Sequence, residues 1–294
     1  MTPRPVGHDE RMPQSTQELL EILDLERIED GLFRGRQPDT ALQRVFGGQV
    51  ASQALVAAAR TGEEGRSVHS LHAYFLRPGD PAVPIVYDVE RLRDGRSFST
   101  RRVVARQHGR TIFYLSASFQ APEEGLEHQD AMPAVPPPEE CPELGDVLAT
   151  ISGRPREEWD REWASLDVRY AAPAGEPGKP REPVSRVWLR SSGPIGDDPV
   201  LHAAVLTYAS DLTLLSAAVL PHGTYIGDPR LQPASLDHAM WFHRPFRVDE
   251  WLLYDQSSPS ASGGRGLATG RLFTAGGDLA VSVVQEGLLR LRRD

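Results

Sequence analysis

Cysteine is almost missing: Cys141 is the single one in 294 residues. That excludes an intrachain disulfide, a zinc–cysteine cluster and a Cys-pair redox centre. Cys141 stands in a proline-rich stretch with no neighbouring base, so it is a poor nucleophile candidate. Positive charge is in deficit as well. The 32 Lys and Arg face 41 Asp and Glu, a net −9, which argues against general nucleic-acid binding. The opening MTPRPVGHDE holds no apolar signal core, and the closing LRRD is no peroxisomal address. No 18-residue segment reads as a membrane span, because Asp, Ser and Thr interrupt the most apolar one. The cytoplasm is therefore the expected location.

The most apolar stretch is Val200–Leu220, VLHAAVLTYASDLTLLSAAVL, in which Asp211 is the only charged side chain. Leu201, Val205, Tyr208, Leu212, Leu215 and Val219 recur at helical steps. A helix apolar nearly all round is expected to be buried. An ionised carboxylate inside it costs several kcal/mol unless something pairs with it, on the order given by transfer data. A mid-helix Asp is commonly a solvated rim residue; this helix leaves it little rim, which makes Asp211 a candidate catalytic group.

A chain of this length predicts two domains. Residues 1–14 hold three prolines and are expected to be poorly ordered. Ser15 with Glu18 three residues on reads as a capping box for a short helix. VFGGQVASQALVAAAR, from Val45, is a second nearly uncharged helix opened by Gly47 and Gly48. Such a pair permits close packing and leaves helix-start N–H groups for an acceptor; as a phosphate loop it lacks the Lys-Ser/Thr that motif needs. Ser67–Gln120 alternates as strands with Gly-containing turns, predicting an antiparallel sheet wrapped around that helix. Residues 91–110 carry seven Arg and one Asp, which suits either a solvated strand face or a polyanionic ligand. Residues 121–160, with seven prolines and eleven acids, read as an exposed linker holding a short helix near Glu139–Ile151. Strands and the Val200 helix then follow, with Ala275–Asp278 as a hairpin turn. The division is 1–14 tail, 15–120 first domain, 121–160 linker, 161–294 second domain.

The two sheet regions superpose without a gap at an offset of 167 residues: Arg77-Pro78 on Arg244-Pro245, Phe75 on Phe242, Tyr87-Asp88 on Tyr254-Asp255. The helices correspond with a slip of a few residues. This predicts duplication of one α+β unit, the halves joined edge to edge. The same offset puts Ser118 opposite Gln285, while the first helix has no counterpart to Asp211. Core polarity therefore concentrates in the second half.

FGGQVASQAL, HSLHAYFLRPGDP with RDGRSFSTRRV, and SLDHAMWFHRPFRVDEWLLY ending in VQEG closely resemble the type II acyl-CoA thioesterases, bacterial and peroxisomal enzymes with a double hotdog fold. The resemblance covers roughly residues 15–120 and 160–290. It implies hydrolysis of acyl-CoA to a free acid and coenzyme A with no metal or bound cofactor. It also implies that Asp211, Ser235 and Gln285 hold the attacking water, Ser235 standing where some members carry Thr. Chemistry is consistent with those roles. A carboxylate of raised pKa can take a proton from water, while an amide and a hydroxyl orient the pair. None of the three is a strong nucleophile, so direct attack by water is expected, with an anhydride through Asp211 as the other route. Gly47 and Gly48 are expected to offer N–H groups to the thioester carbonyl, and Arg96, Arg101 and Arg265 to meet the phosphates of coenzyme A. Asp237-His238 resembles a relay pair, but strand neighbours point to opposite faces, and no GxSxG elbow occurs. His69, His72, His238 and His243 lack a metal spacing and read as core histidines. Two other readings stay open: a hotdog (de)hydratase, which would need a His beside the helix acid, and a non-catalytic acyl-CoA-binding module. A homodimer or larger homo-oligomer is expected.

Overall fold

A computed structural model of the chain describes residues 12–37, 44–172 and 178–292. In the first half come α1 (Thr16–Leu23), β1 (Glu26–Glu29), β2 (Leu32–Gly35), α2 (Gly47–Ala59), β3 (Ser67–Phe75), β4 (Ile85–Asp94), β5 (Phe98–Gln107) and β6 (Arg110–Gln120). The second half holds α3 (Leu144–Ser152), α4 (Arg156–Trp163), β7 (Leu166–Tyr170), β8 (Val184–Ser191), α5 (Pro199–Thr213), α6 (Ser216–Val219), β9 (Leu231–Ser235), β10 (Asp237–Phe242), β11 (Leu252–Ser262), β12 (Arg265–Thr274) and β13 (Leu279–Leu291). The strands form one 13-stranded sheet in the order β1-β2-β4-β5-β6-β3-β10-β13-β12-β11-β8-β7, with β9 also on β13. The order reads as a near-palindrome about β3–β10, where Tyr74 pairs with Asp237 and Ser70 with Trp241. The edge-to-edge junction of two like halves is thus a hydrogen-bonded strand pair, and the fold is the α+β double hotdog.

The apolar helices fill the concave side. Along α2, Val50, Ala51, Ala54, Leu55, Ala57 and Ala58 are all buried, and α5 answers with Ala203, Ala204, Val205, Leu206 and Ala209. Alanine on both faces lets two helix backbones approach under one sheet. Strand alternation supplies the rest of the core, with Leu71, Val103, Leu115, Leu272 and Val281 at or near zero exposure. Truncating one of these leucines to Ala would cost roughly 2–5 kcal/mol. Residues Pro199–His222 are in fact long and apolar enough by composition to cross a membrane, contrary to the sequence expectation. That apolarity is spent inside the protein: 83% of the window is buried. The stretch is not one helix either. Thr207 and Ser210 hydroxyls bond back to the carbonyls of Ala203 and Thr207, α5 stops at Thr213, and α6 restarts at Ser216.

The internal repeat holds with two corrections. The β5–β6 hairpin pairs Gln107 with Arg110, whereas the β12–β13 hairpin bonds Thr274 N–H to the Asp278 carbonyl, one residue longer. From there the offset is no longer 167, and a one-residue slip exchanges the faces of a strand. Register shows it directly: Arg101 pairs with Ala117 on β6, and Ala268, its counterpart, pairs with Gln285 on β13. The residue equivalent to Gln285 is therefore Ala117, not Ser118. The second correction concerns the helices. From the end of α2 at Ala59 the chain goes nearly straight into β3, but from Thr213 it passes through α6 and a further loop before β9 and β10, which together match β3, far more than a slip of a few residues.

The Ser15 hydroxyl caps α1 by accepting from Glu18 N–H at 3.1 Å. Most of the stretch read as a disordered tail lies outside the described residues, but Met12 packs into the core and Gln14 donates to the Arg161 carbonyl at 2.9 Å. The acidic linker is tied down rather than loose. Gln129 bonds Gly277 and Leu279, Asp130 pairs with Arg271, and Pro136 accepts from the Trp188 indole at 2.9 Å. It ends in two helices, α3 and α4. Burial, with Glu140 and Glu139 nearby, pushes the Cys141 thiol up, which keeps it protonated.

Candidate active site

The last turn of α5 presents Asp211 toward the strand ends of its own half and toward the start of α2 in the other. Ser235, closing β9, donates to Asp211 Oδ1 at 2.9 Å, and Gln285 Nε2 on β13 donates to the same oxygen. The Gly48 N–H completes the set from across the halves. Gly47 is equally close: a Cβ there would stand 2.8 Å from Asp211 Oδ2 and from the Phe75 ring. A Cβ on Gly48 would meet the Tyr208 carbonyl at 2.6 Å. The two glycines therefore exist to let α2 touch α5. The α2 start has no side-chain cap of its own, Phe46 being its N-cap, which leaves the Gly48 N–H for Asp211 and the Gly47 N–H without a capping side chain.

Burial raises the Asp211 carboxyl from 3.8 to about 6, and the bonds from Gln285, Ser235 and Gly48 pull in the opposite direction. Protein surrounds the side chain, yet it keeps a partial opening onto a cavity of about 670 Å³. Phe46, Val50, Phe75, Phe113, Leu212 and Leu215 make that cavity apolar; Asp211 and Ser235 are polar groups set in its wall. Such a chamber suits an aliphatic chain with a reactive carbonyl placed against the acid.

The structure brings together Asp211, Ser235, Gln285, Gly47 and Gly48. It does not bring the three arginines there. Arg101 is 1% exposed, donating to Thr61 and to the Arg93 and Thr100 carbonyls and pairing with Asp94 at 2.6 Å, so no donor is left for a phosphate. Arg96 sits in the β4–β5 turn. That turn is level with the Ser67–Gln120 end of β3 and β6, whereas the cavity lies at their Phe75–Phe113 end. Arg265 is held by Glu286 at 2.9 Å; its neighbour Gly266 faces α6, which turns Arg265 to the outer side of the sheet. The other arginines of the 91–110 strands largely answer acids beside them, as Arg91 does Asp30, Arg102 Glu90 and Arg106 Asp88.

The relay-like pair separates as strand geometry requires. Asp237 accepts from Glu286 N–H at 2.7 Å, while His238, on the opposite face, shares a 2.8 Å bond with Ser210 and is pushed down to about 4 by burial. Ser235 is bonded to Asp211, not to His238, so these residues form no Ser-His-Asp triad. His69 packs on Phe98, His72 on Trp241, and His243 bonds Ser282. His202 uses both ring nitrogens on backbone, at the Gly196 carbonyl and Val248 N–H.

Sequence reasoning missed Met12 and Trp163, which line the cavity from the tail and from α4, and Arg44 and Arg77 on its rim. Nothing in the tail or in α4 marks Met12 and Trp163, and Arg77 was marked only as part of the doubled Arg-Pro. The packing of the tail and of α4 over the helix ends brings the first two there.

Known proteins match both halves of the chain. Residues 165–288 match the family model described as acyl-CoA thioesterase, and residues 36–120 the model described as acyl-CoA thioesterase N-terminal domain. The chain is 42% identical over 283 residues to human acyl-coenzyme A thioesterase 8, covering 92% of this chain and 88% of that one. It is 41% identical over 278 residues to acyl-CoA thioesterase 2 of Haemophilus influenzae, at 92% and 96% coverage. The crystal structure of acyl-CoA thioesterase II TesB2 from Mycobacterium marinum superposes with a TM-score of 0.78 at 51% identity, over 93% of this chain and 98% of that chain. With both halves matched and an acid, a hydroxyl and an amide meeting at an apolar cavity, the chain belongs to the acyl-CoA thioesterase family.

Proposed function

We propose that the chain hydrolyses acyl-CoA through a water molecule activated by Asp211 and positioned with the help of Ser235 and Gln285. Both side-chain donors hold Oδ1, and Oδ2, which faces Gly47, is the oxygen we assign to accept a proton from water. The water oxygen attacks the thioester carbonyl carbon as its proton passes to Asp211. The tetrahedral oxyanion then collapses, the C–S bond breaks, and the coenzyme A thiolate takes the proton back from the Asp211 carboxyl. A base with pKa of about 6 suits both transfers near neutrality, being ionised before attack and acidic enough to return the proton.

Because Gly48 N–H is occupied by Asp211, the oxyanion role falls to Gly47, which lines the cavity at the positive end of α2. Direct attack by water is favoured over an anhydride. Donors gathered on the carboxylate lower its nucleophilicity without removing its basicity. The (de)hydratase alternative would need an imidazole at the acid, and both nitrogens of His202 are committed elsewhere.

The observation that carries the reading is the convergence of Ser235, Gln285 and Gly48 on one buried acid at a cavity wall. Thiol release from acyl-CoA substrates of graded chain length, for the native chain and Asp211→Asn, tests it. The variant is expected to retain substrate binding and lose release; an unchanged rate rules the mechanism out. We place the reaction in the cytoplasm and in a homodimer or larger homo-oligomer built through sheet edges, β1 offering four exposed residues at one such edge. Light scattering of the purified chain checks the assembly.

A further inference from the structure

The cavity rim carries a positive feature unrelated to the buried acid. Arg44 and Arg77 both line the cavity and are both exposed. They lie on adjacent segments, since Val45 N–H bonds the Gly79 carbonyl at 3.0 Å. Arg44 reaches across to the Pro233 carbonyl at 3.0 Å, close in sequence to Ser235, and Arg77 to the Thr111 carbonyl at 2.7 Å. Each thus spends one guanidinium arm on backbone, which fixes the group while leaving further N–H donors outward. Among the described residues neither has a carboxylate partner, although this chain has an excess of acids and pairs many of its arginines. Glu162, the acid that shares the cavity wall, is taken by Arg154 at 2.7 Å.

We propose that Arg44 and Arg77 form the binding site for the phosphate groups of coenzyme A, holding the nucleotide on the rim while the thioester reaches Asp211. This rests on the thioesterase reading above and adds to it the group that recognises the carrier rather than the acyl chain. Guanidinium is the side chain suited to phosphate, offering parallel donors and a permanent charge. The two arginines bind the carrier and take no part in bond breaking, so their loss acts on binding.

The test compares an acyl-CoA with the acyl-pantetheine of the same acyl group, which has the thioester and arm but no phosphate. Arg44→Gln and Arg77→Gln are each expected to raise KM for acyl-CoA about tenfold, with the double variant higher still. Their kcat, and KM for acyl-pantetheine, should stay within about twofold of native. Lysine at either position should recover much of the affinity, and the native KM for acyl-CoA should climb with salt more steeply than that of the double variant. An equal KM rise for both substrates, or none for either, overturns the proposal. The two readings fail separately. A full rate in Asp211→Asn sinks the catalytic assignment while the KM split stands; the reverse pattern sinks the phosphate site alone.

Discussion

Equivalent positions in the two halves have been filled in opposite ways. On the inner face of the second half, small Ala268 lies beside large Gln285; in the first half, large Arg101 lies beside small Ala117. Ser235 in the second half corresponds to Val68 in the first, each opposite the equivalent residue of the neighbouring strand, Gly287 and Phe119. The helices differ in a complementary sense. α5 carries the acid but seals its own start, with Pro199 at the first position and Asp198 accepting from Val200 N–H. α2 has no acid but leaves its start open. The groups proposed for catalysis are thus divided between the halves, and the described residues bring them together where α2 meets α5.

The sharpest way to break this contrast is to neutralise its one acid. Asp211→Asn is expected to lower kcat by about a thousandfold or more, measured by thiol release. It should also melt higher. The folded carboxyl has pKa about 6 against 3.8, so the folded state binds the proton more tightly and ionising it weakens the fold. That penalty is absent below about pH 4 and complete above about pH 6, up to about 3 kcal/mol at full burial and less given the opening to the cavity. Thermal unfolding of both proteins at pH 4 and pH 8 checks the sign: the gain should appear only at the higher pH. In the native chain kcat/KM should fall about tenfold per unit as pH drops below about 6.

A smaller loss is expected from the opposite half. Gly47→Ala pushes a methyl against Asp211 Oδ2 and the Phe75 ring, and kcat should fall roughly a hundredfold though α2 itself gains helix propensity. Gln285→Ala should cost about ten- to hundredfold, the smaller effect reflecting the donors that remain on the carboxylate. The weakest effect on rate belongs to Arg101→Met. Losing the buried guanidinium leaves Asp94 and three backbone carbonyls without their donor, so stability should drop by about 2–4 kcal/mol in denaturant titrations. KM for acyl-CoA should not move. A KM increase there would return Arg101 to the binding machinery.

Much of this was legible in the sequence because each signal was local. The helix period around Asp211, the strand alternation, the capping Ser15 and the doubled Arg-Pro all survive in the fold. Asp211 could be singled out because it is the one charged side chain in a mostly apolar stretch of twenty-one residues. What failed was everything set by the return path of the chain. Arg101 and Arg77 look alike in a string; only register places one under the sheet and the other on the cavity rim. Met12 sat in what read as a loose tail, and Trp163 at the edge of a linker. Gapless superposition misassigned the partner of Gln285 because one additional turn residue is invisible to a pattern that tolerates either neighbour.

That extra residue, in the hairpin at Ala275–Asp278, lengthens a turn without moving the strand behind it: Gln285 faces Ala268 just as Ala117 faces Arg101 behind a two-residue loop in the first half. Removing one glycine there should therefore leave the amide beside Asp211. Numbering slips while the ladder stays, so the surface turn is free to vary in length at no cost to the chemistry proposed for the interior.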